Sequence, residues 1–283
     1  MWPDSLSNPG VRKMSLQLNE FDSPLHSAAA STRGREFDLS AGSRFRDIIN
    51  KIPVRALVPN WLRSGGVVRD SVSLIAHLLI DYGWLRSRSA GHPLDAHGEP
   101  IPWFTYTAID FLKQLDLRDK TIFEYGAGYS TLFWSKRVKA ITSVEHDKQW
   151  FEQIALQAPP STELILAAPD VHSYVGEIAN HGMFDIIVID GTGESRLHCA
   201  EIAPKHLKPG GFIILDNSDL WPKSAAALRN ADLIQIDFTG FAPLCRHWQT
   251  TSLFLSRQYS IQPLNGLQPH RSVAQPAKPW PGV

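Results

Sequence analysis

From residue 120 onward, the apolar positions of this chain switch repeatedly between two periods. Short runs rich in β-branched and aromatic residues predict strands: TIFEYG, AITSVEHD, TELILAA, FDIIVIDG and GGFIILDN. Between them, STLFWSKRV, KQWFEQIALQA, the stretch around 172–180, SRLHCAEIAPKHL and SAAALRN predict helices. FDIIVIDG is nearly all apolar, as expected for a strand covered on both faces. LIQIDFTGF and QTTSLFLSR predict two last strands joined by a short connection. Strand–helix alternation of this kind predicts an α/β fold, with a doubly wound, mostly parallel sheet carrying an antiparallel C-terminal edge hairpin. No internal repeat is visible.

Upstream, VVRDSVSLIAHLLIDYGWL has apolar residues at helical spacing and predicts a helix ending near Gly83. The next stretch, RSRSAGHPLDAHGEPIP, carries Gly and Pro in its second half and predicts a loop. TAIDFLKQLDL, at 107–117, predicts another helix with Thr105 or Thr107 as its N-cap. The expected organisation is a disordered segment over 1–45, a helical extension or lid over 46–102, a main domain over 103–261 and a Pro-rich extended tail over 262–283.

Charge and cysteine content narrow the class. Lys plus Arg equals Asp plus Glu at 28 each, so no net positive field marks a nucleic-acid partner. Two distant cysteines, Cys199 and Cys245, make neither a disulfide framework nor a zinc site. The start MWPDSLSNPG lacks a signal-peptide pattern, and the apolar run SLIAHLLI is too short to span a bilayer. The expectation is a cytoplasmic protein with no membrane partner; oligomeric state is not legible.

The chemistry concentrates at FEYGAGYS, residues 123–130. Gly126 and Gly128 suit a strand-to-helix turn that lets a ligand approach the backbone, with the free N–H groups of the next helix pointing at it. Glu145 follows Gly126 by 19 residues, at the end of the second strand, where a carboxylate can accept from both hydroxyls of a ribose. The plain alternative, a tight corner with no ligand, explains the glycines but not their pairing with this acid. A dinucleotide fingerprint wants a third small residue, and Thr131 stands there. Glu124 would repel a pyrophosphate and would suit a ligand carrying an ammonium or sulfonium.

At this point the sequence resembles the class I S-adenosylmethionine-dependent methyltransferases. IFEYGAGYS is similar to their first motif, SVEHD to the second-strand acid, FDIIVIDG to the fourth-strand motif, and LKPGGFIILDN to the turn before the fifth strand. The resemblance spans about 103–256 and implies a Rossmann-like methyltransferase fold. It implies that Gly126, Ala127, Gly128, Ser130 and Thr131 cradle the methionine and ribose, with Glu124 near the ammonium. Glu145 would take the ribose hydroxyls, His146 would flank the adenine, Asp170 would reach its amino group, and Asp190 would also contact the cofactor.

Asp190 ends the fourth strand, and Asp216 with Asn217 ends the fifth. These three resemble the ligand set of metal-dependent O-methyltransferases of the catechol and caffeoyl-coenzyme A type, which implies Mg²⁺ polarising an acceptor hydroxyl. The loop DGTGESR departs from that pattern. Two other readings stand beside it: Asp190 or Asp216 as a metal-free general base, and an Asx turn at 216–218. Arg196 and Asp219 are candidates to bind an acidic or hydroxylated acceptor; Trp103 and Tyr106 are candidates to cover the pocket. Trp84, Phe241 and Trp248 are further candidates to line it, and no histidine is nominated as base. The expected activity is methyl transfer, through oxygen, to a small or medium acceptor molecule. An NAD-linked oxidoreductase, an aminopropyl transferase and a cofactor-binding module without turnover are the alternatives.

Overall fold

The computed structural model describes residues 67–168, 170–271 and 273. The expectations for 1–45, for 46–66 and for the end of the tail from 274 lie outside the described residues.

Seven strands form one sheet: β1 (Thr121–Tyr125), β2 (Ala140–Glu145), β3 (Thr162–Leu166), β4 (Phe184–Ile189), β5 (Leu207–Leu215), β6 (Ile234–Gly240) and β7 (Gln249–Leu255). Their order is β3-β2-β1-β4-β5-β7-β6, with β1 to β5 parallel and β7 antiparallel to both of its neighbours. The last pair is antiparallel and lies at one edge as expected, with β7 inside and β6 outermost. Burial explains this order. Thr251, Ser252, Leu253 and Phe254 of β7 are buried, whereas Ile234, Ile236, Asp237 and Thr239 of β6 are exposed.

The apolar runs alternate between two cores. Ile122, Ile186, Val188, Phe212, Ile214 and Leu253 point to one face of the sheet. Phe123, Tyr125, Ile187, Ile189, Ile213 and Leu215 point to the other. Period-2 alternation with both faces apolar reads in sequence as an unbroken hydrophobic run. Each such side chain contributes about 1.5–3 kcal/mol on full burial.

Helices α1 (Val67–Ala76), α2 (Trp84–Ala90) and α3 (Tyr106–Leu112) precede the sheet; α4 (Tyr129–Ser135), α5 (Lys148–Ala155), α6 (Val171–Gly176), α7 (Gly193–Ile202) and α8 (Pro222–Asn230) connect its strands. The first predicted helix breaks into α1 and a π-helical turn, His77–Asp81, before Gly83. A second helix, α2, then runs through residues expected to be loop. Its polar sequence hides the reason: Ser87 is fully buried, donating to Leu94 O (2.7 Å) and accepting from Leu94 N–H (2.9 Å).

Helix α3 anchors the extension to the far end of the sheet. Thr105 is its N-cap, accepting from Ala108 N–H and donating to Phe238 O (2.9 Å). Thr105 N–H donates to Thr251 Oγ1 (3.0 Å), and Tyr106 N–H to Phe241 O (2.8 Å). The start of the expected tail is not free. Asp116 N–H donates to Gln262 O (2.9 Å), Leu264 N–H donates to Gln114 O (2.6 Å), and Leu115 bridges Pro263. Ile261 is buried in the same core face as α3. Among the described residues no helix is long and apolar enough to cross a membrane.

Candidate functional site

The carboxyl ends of β1, β2, β4 and β5 lie side by side. Gly126 N–H donates to Val144 O (2.9 Å), Asp190 N–H to Tyr125 O (3.0 Å) and Asp216 N–H to Ile189 O (3.2 Å). Sequence-distant candidates therefore meet on one rim, where open α/β sheets bind ligands.

The turn after β1 requires glycine at its first position. Gly126 has φ +93°, and a Cβ there would lie 2.8 Å from Asp190 O and 3.0 Å from Gly191 Cα. The close approach presses the turn against the end of β4. Gly128 is extended, and its N–H donates to Thr131 Oγ1 (2.9 Å). Trp150 on α5 braces the same turn, donating from Nε1 to Ala127 O (2.6 Å). Ser130 and Thr131 are buried within α4, which starts at Tyr129.

Glu124 is fully buried beneath the turn. Its Oε2 accepts from Thr131 Oγ1 (2.5 Å) and Ser143 Oγ (2.7 Å), while its Oε1 is buried with no hydrogen-bond partner. Burial pushes the carboxyl up to about 7, against the opposing pull of the Ser130, Thr131 and Ser143 hydroxyls.

Glu145 is held ready at the end of β2. Its Oε1 accepts from the N–H groups of His146 (2.7 Å) and Asp147 (2.9 Å), which leaves Oε2 free of described partners. His146 Nδ1 lies 2.8 Å from the same Oε1. The His146 ring stands edge-on to Tyr174 with centroids 5.8 Å apart. Tyr174, on α6, is buried with an unpartnered hydroxyl that leaves no room for a side chain at Gly191, where a Cβ would lie 2.2 Å from it. Asp170 caps α6, accepting from Ser173 N–H (2.9 Å), and this bond together with the Ser173 hydroxyl lowers its pKa.

On the acceptor side Arg196 turns inward. Its Nε donates to Gly191 O (3.0 Å), Nη1 to Asp216 O (2.5 Å) and Nη2 to Asp190 Oδ1 (3.0 Å). Asp216 Oδ1 accepts from Thr251 Oγ1 (2.5 Å). Burial raises both aspartates, with Arg196 opposing the rise at Asp190 and Asp190 adding to it at Asp216. Asn217 adopts φ 51° and begins a turn closed by Leu220 N–H donating to Asn217 O (2.8 Å). These residues do not fit Mg²⁺. A guanidinium already spans Asp190 Oδ1 and the Asp216 carbonyl, and Asp216 Oδ1 is taken by the Thr251 hydroxyl.

The remaining substrate candidates sit as follows. Asp219 Oδ1 accepts from Thr250 N–H (3.1 Å) on β7. Trp103 Nε1 donates to Cys245 Sγ (3.3 Å), and Trp84 Nε1 to Cys245 O (2.9 Å). Tyr106 is buried against Tyr82, its hydroxyl unpartnered, and Phe241 meets the largely exposed Trp248 edge-on. Sequence reasoning missed Ser143, Trp150, Tyr174 and Thr251. Only Ser143 carried a signal: it stands two before Glu145, hence on the neighbouring strand beside Glu124.

No family model matches this chain, and no curated protein matches it. Solved structures do. Precorrin 8w decarboxylase of Methanobacterium thermoautotrophicum is 17% identical with a TM-score of 0.41, over 55% of this chain and 92% of that one. Precorrin-6y C5,15-methyltransferase of Geobacter metallireducens is 16% identical with a TM-score of 0.42, over 53% and 87%. The fibrillarin pre-rRNA processing protein of Methanococcus jannaschii is 15% identical with a TM-score of 0.44, over 54% and 75%. These likenesses carry no argument about ligand or reaction. The sheet is mostly parallel and flanked by helices.

Proposed function

We propose that this protein is an S-adenosylmethionine-dependent methyltransferase acting on a small or medium acceptor, through oxygen. One observation carries the reading: Glu145, with a free Oε2, stands beside the Gly126–Gly128 turn at the ends of β2 and β1. A ribose diol is the ligand group that a glycine turn and an adjacent acid take together. The unpartnered Glu124 Oε1 and Tyr174 hydroxyl support it, because buried polar atoms are ordinarily paired and these two lack a protein partner.

The cofactor would be held by Gly126, Ala127, Gly128, Ser130 and Thr131, with Glu145 on the ribose, His146 and Asp170 toward the adenine, and Glu124 and Asp190 toward the methionine end. S-adenosylmethionine supplies a methyl group on a sulfonium: the acceptor oxygen forms the new O–C bond as the C–S pair returns to sulfur. The chain's part is to orient the acceptor and receive its proton. Asp216 would receive it, with Oδ1 accepting from Thr251 Oγ1. Trp103 and Tyr106 would bound the acceptor from the extension side, and Asp219 the loop after β5.

An NAD-linked reading is disfavoured by two features. Gly128 N–H, a donor that a pyrophosphate would use, already bonds Thr131, and the buried Glu124 lies under the turn. Calorimetric titration with S-adenosylmethionine and S-adenosylhomocysteine tests the proposal, with NAD as control. Binding of both, weakened by about 1–3 kcal/mol in Glu145→Ala, is expected. Folded protein that binds neither would remove the reading. Binding with aminopropyl rather than methyl transfer, or with no turnover on any acceptor, would replace it by its alternatives.

A further inference from the structure

Arg196 sits on the first turn of α7 and is 7% exposed. Its three donors reach one carboxylate and two carbonyls: Asp190 Oδ1 (3.0 Å), Gly191 O (3.0 Å) and Asp216 O (2.5 Å). Those acceptors come from the ends of β4 and β5, neighbours in the sheet but 26 positions apart in sequence at Asp190 and Asp216. The set is the kind that a hard divalent cation recruits: converging oxygens that include a carboxylate. The planar guanidinium fork satisfies it instead, through directional N–H donors that an ion lacks. Trp221 stands beside the fork, its ring centroid 5.8 Å from Cζ. A divalent ion added here would face a fixed positive charge at contact distance and be repelled.

We propose that the Arg196 guanidinium is the resident cation of the acceptor side, tying the ends of β4 and β5 together where a metal would otherwise be seated, so that the site works without a divalent ion. Arg196 is therefore a positioning residue. It holds Asp190 and the Gly191 backbone, the segment against which Gly126 is pressed, and so sets the turn on which the ligand rests. The reaction named here rests on the methyltransferase reading; the cation seat does not.

The test uses Mn²⁺ alone, followed by electron paramagnetic resonance, together with S-adenosylhomocysteine calorimetry. The wild-type protein is expected to leave Mn²⁺ free and to bind S-adenosylhomocysteine equally well with EDTA or with Mg²⁺. Arg196→Ala leaves the three oxygens without their cation. It is expected to gain Mn²⁺ binding, to lose it again when Asp190→Asn is added, and to recover thermal stability when guanidinium ion is supplied. Its affinity for the product is expected to fall about tenfold, the scale of a hydrogen bond to a charged group. A wild-type protein that binds Mn²⁺ and loses it in Asp190→Asn overturns the proposal. So does a folded Arg196→Ala that responds to neither Mn²⁺ nor guanidinium. Should Arg196→Ala fail to fold, the wild-type titrations decide alone, and Arg196→Lys, which keeps the charge but not the fork, is expected to exclude Mn²⁺ still. Wild-type protein that binds no S-adenosylhomocysteine removes the methyltransferase reading and leaves the Mn²⁺ result to judge the cation seat.

Discussion

Gly126→Ala separates two costs that most glycine substitutions confound. The new Cβ would meet a left-handed backbone, φ +93°, and would also lie 2.8 Å from Asp190 O and 3.0 Å from Asp190 C and Gly191 Cα. The backbone term for one non-glycine residue in that region is about 1–2 kcal/mol. The steric term is an overpacking of about 1–3 kcal/mol, because the neighbours are main-chain atoms just past the end of β4 and have little freedom to retreat. Together they predict a loss of about 2–5 kcal/mol, or a fall in Tm of roughly 5–15 °C for a domain of this size. Gly182→Ala supplies the control. Its φ is +89°, yet nothing lies within 4 Å of the added Cβ, so it should show the backbone term alone. Urea unfolding of both variants, with coincident fluorescence and circular dichroism transitions, gives the comparison. A Gly126→Ala cost no larger than that of Gly182→Ala would refute the claim that the turn is pressed against β4.

The other predictions concern the groups around that turn. Glu145→Ala should weaken S-adenosylhomocysteine by about 1–3 kcal/mol with little change in stability, read by calorimetry and melting. Trp150→Phe removes the bond to Ala127 O and should cost about 1 kcal/mol of stability while loosening ligand binding; unchanged affinity would make Trp150 a packing residue only. Glu124 gives a pH signature. Its folded pKa of about 7 exceeds the ordinary 4.5, so the folded chain binds the proton more tightly, and stability from this group is full below pH 4.5 and falls as pH rises toward 7. Glu124→Gln cannot ionise, so its stability relative to wild type should rise by about 3 kcal/mol across that window; a gap that stays constant with pH would sink the assignment.

The chain's own pattern determined its strands and the turn that matters. Strands covered on both faces must be continuous apolar runs, and the helices between them must repeat near every fourth residue; both signals are local and survive in a single sequence. The pairing of Gly126 with Glu145 was legible for the same reason, since one βα unit places both at one rim. Other features depended on contacts between distant segments. β7 lies inside β6 because its buried stretch outcompetes the half-exposed β6 for the place beside β5, a choice between two strands that look alike in sequence. Helix α2 and the docked residues after 261 were hidden because polar or Pro-rich stretches reveal nothing of the partners that satisfy them. Arg196 makes the point most directly. In sequence it is one charge on a helix that would ordinarily face solvent. Only the adjacency of β4 and β5 places a carboxylate and two carbonyls where its fork can reach them.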